Sequence, residues 1–125
     1  MKCIDINSLD DRLSELKSQF HSQKPFKYLM FDNFLPTEIA EEIYKNYPKI
    51  ENGKWDGTTY LDQKNKFQKT KFKTGSILDI LFKEFNSKEF LNWLDKLTEI
   101  EENLIGDNEL FGGSLHQSLN GAFLN

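Results

Sequence analysis

One cysteine, Cys3, stands in the 125 residues, so no internal disulfide can form and nothing points to an oxidising compartment. Arginine is almost absent: of sixteen basic residues only Arg12 is not a lysine, and twenty acids leave a net charge of −4. That balance argues against a general polyanion binder, because phosphate neutralisation needs a positive surplus. Long apolar runs are missing too. No window approaches the roughly 20 residues of a membrane span, and the opening Met1 to Ile6 carries Asp5 where a signal peptide would be apolar. The expectation is a cytoplasmic protein with no membrane partner. Self-contained catalytic motifs are absent as well: no phosphate loop, no G-x-G-x-x-G, no H-E-x-x-H and no C-x-x-C.

What is present is a polar-side globular composition, 38% hydrophobic and 29% charged, with eleven Phe supplying much of the apolar volume. The length suits one domain, residues 1–125. Ser8 to Phe20 reads as a helix with Leu9, Leu13, Leu16 and Phe20 on one stripe and Ser8 as its N-cap. A break at 21–25 leads to a strand over 26–34, with Tyr28 and Met30 on one side, Leu29 and Phe31 on the other, buried on both. A helix follows over 38–47, opened by Pro36 and stopped by Pro48, with Ile39, Ile43, Tyr44 and Tyr47 as its apolar face. Helix returns over 76–85 and again over 88–98. The second carries Asn86 and Glu89 in capping-box form, with Phe90, Leu91, Leu94 and Leu97 inward and Trp93 at the edge.

Residues 48–75 are the least regular. Lys64, Lys66, Lys69, Lys71 and Lys73 alternate there with Phe67 and Phe72. One reading is a basic, aromatic surface for single-stranded nucleic acid; the favoured one is an edge strand or loop whose lysines discourage sheet pairing.

The last stretch is more organised. Gly112-Gly113 and Asn120-Gly121 are turn dipeptides flanking a strand, and Asn-Gly predicts a hairpin whose second strand starts at Ala122. Leu115, Gln117 and Leu119 share one face, His116 and Ser118 the other. The only histidines are His21, expected in a loop, and His116 in the strand. No spacing supports a metal site made from them, and a structural role is the expected one for His116. No residue of the chain is assigned as catalytic or metal-binding.

Phe31-Asp32-Asn33-Phe34-Leu35-Pro36, then Tyr47-Pro48, Phe90-Leu91 through Ile100, and above all Gly112-Gly113-Ser114-Leu115-His116-Gln117 with Gly121 to Asn125 carry a family resemblance. The chain resembles the front part of an iron(II)- and 2-oxoglutarate-dependent oxygenase of the prolyl 4-hydroxylase-like group, over residues 26–125. Ser114 departs from that pattern, since many relatives have another Gly there. The resemblance implies an α+β fold: a helical lead-in (1–25), a strand and helices (26–109), and the first strands (110–125) of a double-stranded β-helix, or jelly roll. It implies a dioxygenase that hydroxylates a C–H bond with Fe(II) and 2-oxoglutarate, and a cosubstrate pocket lined by Gln117 or His116, with Gln117 preferred on strand alternation. In relatives a His-x-Asp pair follows such a strand and supplies two of three iron ligands. Neither that pair, the distal His nor a basic residue assigned to clamp 2-oxoglutarate is identified here. The expectation is an N-terminal fragment, inactive alone and unable to hold Fe(II) or 2-oxoglutarate tightly, with an unpaired edge at 114–119 open to self-association. Two alternatives are a small non-catalytic α+β module, binding single-stranded nucleic acid through Lys64–Lys73, and a degenerate relative serving as a partner subunit.

Overall fold

The N-terminal periodicity produces two helices rather than one. In the computed structural model, which describes residues 1–50, 55–60 and 63–124, α1 spans Ile6–Asp11 and α2 Leu13–Ser22. Asp5, not Ser8, caps α1: its Oδ1 accepts the Ser8 N–H at 3.1 Å. At Arg12 the backbone leaves helical geometry, and the Leu16 N–H picks up the Arg12 carbonyl at 2.9 Å to start again.

α3 (Thr37–Lys45), α4 (Ile77–Phe85) and α5 (Lys88–Thr98) lie within two residues of the sequence expectation. α4 is capped by the Ser76 hydroxyl. α5 is capped by Ser87, whose Oγ accepts the Phe90 N–H at 3.2 Å. The Asn86 box does not form because that side chain is engaged elsewhere. Its amide nitrogen donates to the Phe82 carbonyl at 2.9 Å, and its oxygen accepts the Asp107 N–H at 2.6 Å.

α5 is also rotated from the expected setting. Phe90, Trp93 and Leu97 are buried, while Leu91 and Leu94 are only partly covered. Placing the indole inward removes the larger apolar area from water. Trp93 stacks on Phe90 with centroids 6.2 Å apart and packs near Phe31. The core is closed by Cys3, Ile4, Leu9 and Leu16 from the N-terminal side and Ile77, Leu78, Leu81, Phe90, Trp93 and Leu97 from α4 and α5.

Residues 26–34 form no strand. The sequence alternation is real, but only one side is covered: Leu29 and Phe31 pack on the core, while Phe26 and Met30 are 68% and 80% exposed. Among the described residues the one sheet is β1-β2-β3 and includes none of 26–34.

The irregular middle holds the first two strands instead. β1 (Asp56–Tyr60) and β2 (Gln63–Lys69) pair antiparallel, and β2 pairs antiparallel with β3 (Leu115–Leu124), in the order β1-β2-β3. The lysine-bearing β2 is therefore the central strand of the described sheet, not an edge. Asn120-Gly121 makes no hairpin turn: β3 runs through it as one strand of ten residues. The register passes from Lys66 opposite Ser118 to Lys64 opposite Phe123, two residues on β2 against five on β3. That surplus is a bulge, and Gly121 takes the positive φ of +80° it requires. Asn125 lies outside the described residues.

Candidate functional site

The strand that carries the candidate residues is set by one carboxylate. Asp107 accepts the N–H of Phe111 at 3.1 Å and of Gly112 at 2.6 Å, while its carbonyl takes the Leu110 N–H at 3.1 Å. This cage shapes the Gly112–Gly113 approach to β3. Gly106 beside it passes so close that a Cβ would meet the Asn86 carbonyl oxygen at 3.0 Å. The sequence marked 106–108 as a turn, but not Asp107 as its organiser.

From Leu115 onward the side chains alternate. In antiparallel pairs, directly opposite residues share a face. Leu115 and Gln117 therefore lie with their partners Lys69 and Phe67 on one side, and His116 and Ser118 with Gln68 and Lys66 on the other. Leu115 packs against the helical core, so its side is the inner one.

Gln117 is half-buried there, and its amide oxygen is shut from solvent without a hydrogen-bond partner. Trp55 presents a second buried, unpartnered polar atom, its indole N–H. Its ring lies 6.3 Å from that of Tyr47. The Tyr47 hydroxyl donates to the His116 carbonyl at 2.7 Å, and burial pushes that hydroxyl's pKa up.

His116 is exposed and shares a 3.0 Å contact between Nε2 and the Ser114 hydroxyl. Gln117 and His116 thus stand on opposite faces and cannot line one pocket from this strand.

His21 lies in the last turn of α2, not in a loop. Its Nε2 sits 3.0 Å from the Leu97 carbonyl and 3.9 Å from Glu99, tying α2 to the end of α5. Lys17 pairs with the same Glu99 at 2.5 Å and holds that carboxyl below its ordinary pKa. Cys3 is 1% exposed, and burial beside the Glu84 carboxylate raises its thiol to about 11, far from a reactive thiolate.

Among the described residues no three His, Cys, Asp or Glu side chains gather as a metal site would need. Among those residues, no helix is long and apolar enough to cross a membrane. Comparison with known proteins matches the chain to no family model, no curated protein and no solved structure.

Proposed function

We propose that the chain is scaffold from the N-terminal part of an iron(II)/2-oxoglutarate-dependent oxygenase of the prolyl 4-hydroxylase-like group, its sheet the first strands of a jelly roll. The observation that carries this reading is the inner face of β3. After the Gly112–Gly113 turn, Gln117 turns inward and keeps a buried amide oxygen without a partner. Such an oxygen is suited to receive a donor from a neighbouring group, and the amide N–H beside it is the end that a 2-oxoglutarate oxygen, which only accepts, would meet. The alternation of β3 favours Gln117 over His116 as the lining residue. Leu119 and Phe123, each 41% exposed, leave room on the sheet for a further layer. The edge of β3 away from β2 has no strand beside it among the described residues. That edge would accept the next strand of a jelly roll or, in the isolated chain, a second copy.

Catalysis is not assigned to this chain, because its sequence contains no His-x-Asp pair. Two measurements test the reading. The coding sequence past codon 125 should continue into His-x-Asp, and a chain containing that pair should bind Fe(II) and 2-oxoglutarate together, with the charge-transfer absorption of that complex. Tight 2-oxoglutarate-dependent iron binding by residues 1–125 alone would overturn it, as would an extended chain with no such site.

A further inference from the structure

A groove of about 630 Å³ runs between the end of α3 and the segment from Lys69 to the start of α4. Neither Gln117 nor His116 lines it, so it stands apart from the oxygenase reading. Part of its lining is apolar. Ile77 and Leu78 are core residues, each 6% exposed, and Phe72 is fixed by stacking on Phe82 with centroids 5.0 Å apart. Its lining also includes Lys69, Lys73, Thr74 and Ser76 from that segment and Asn46 and one acid, Glu42, from α3 and the residue after it.

Local charge opposes the global one. The chain carries −4 overall, yet residues 64–73 hold five lysines and no acid. Asp79, in the first turn of α4, is neutralised by its 2.9 Å bond to Lys83.

The shape decides between a polymer and a small molecule. A single-stranded nucleic acid needs rings open for stacking along a groove. Here Phe67 sits in the central strand and Phe72 is already stacked. A volume within the roughly 300–1,000 Å³ of small-molecule sites, with apolar and polar lining in similar measure, suits a ligand that is itself part apolar and part charged. We infer that this groove binds a small organic anion, a phosphate monoester or carboxylate carried on an apolar body. The anionic end meets Lys73, the body lies on Phe72, Ile77 and Leu78, and Asn46 orients it.

Amide NMR titration with phenyl phosphate, phenylacetate, inorganic phosphate and benzyl alcohol tests this. Saturable shifts centred on Lys73 to Ser76 are expected for the first two probes, and whichever binds more tightly names the head group. Inorganic phosphate and benzyl alcohol should bind about tenfold more weakly, each lacking half of the recognition. Lys73→Gln, at an exposed position, should weaken the better probe about tenfold with the near-ultraviolet spectrum unchanged. Glu42→Gln should tighten it by removing the opposing charge, an effect that loss of structure would not give. Shifts scattered over Lys17, Lys83 and Lys88, unchanged binding in Lys73→Gln, or inorganic phosphate binding as well as phenyl phosphate would overturn the assignment.

Discussion

The hydroxyl of Tyr47, two residues past the end of α3, donates to the carbonyl of His116 in β3 at 2.7 Å. Sixty-nine residues separate the two in sequence, and with Leu115 on the core they tie the sheet to the helices. Tyr47→Phe should cost about 1 kcal/mol in denaturant unfolding. Hydrogen exchange should rise at 115–118 while α4 and α5 stay protected. Unchanged exchange in β3 would show that the bond does not hold the sheet in place.

The thiol of Cys3 makes stability sensitive to alkali. Its pKa stands at about 11 in the folded chain against 9.0 unperturbed, so the folded state keeps a proton that the unfolded state gives up first. The contribution is intact below pH 9 and declines as pH rises from 9 to about 11. The loss should amount to about 2–3 kcal/mol over that window. Urea melts from pH 8 to 11 would register it, and Cys3→Ala should flatten the decline even where its cavity lowers stability at every pH. A disulfide reagent at pH 8 should react with Cys3 only after unfolding.

Glu84 clips the N-terminal segment to α4, accepting the N–H of Cys3 at 2.7 Å and of Ile4 at 3.1 Å. Glu84→Ala strands both donors at the rim of the core and should cost about 2 kcal/mol. Limited proteolysis should then cut within residues 1–5, whereas Glu84→Gln, which keeps one acceptor, should give an intermediate loss.

At Gly121 a side chain would find open space but the wrong backbone. No atom lies within 4 Å of a Cβ there, yet φ is +80°. Gly121→Ala should therefore cost about 1 kcal/mol through conformation alone. Cross-strand nuclear Overhauser contacts between Lys64 and Phe123 should weaken first, and a mutant as stable as the parent would argue against the bulge.

Helix-forming stretches were largely legible because their signals are local. The spacing of Ile77, Leu78 and Leu81 and the stop imposed before Pro48 lie within a few residues of what they govern, although α3 ends at Lys45, two residues before Tyr47, and Ser76 caps α4 instead of opening it. Apart from the cap and break of α1, which are local, the errors have a different cause. Asn120-Gly121 has the chemistry of a turn, but β2 continues past it as a partner, so long-range pairing converts the dipeptide into a bulge. Residues 26–34 alternate like a strand but join no sheet among the described residues. Asn86 lost its capping role to Ser87 because Asp107, twenty-one residues on, claims its side chain. Of the site, the inward turn of Gln117 followed from alternation alone, whereas the groove joins α3 to residues 69–78 and only folding brings them together.

The composition of the core has a bearing on synthesis. Cys3, Ile4, Leu9 and Leu16 are sheltered chiefly by residues between Ile77 and Leu97. On a ribosome the first helices therefore emerge long before their cover exists. They must wait, greasy side chains outward, until α5 has cleared the exit tunnel. That interval is when a chaperone would find this polypeptide most receptive.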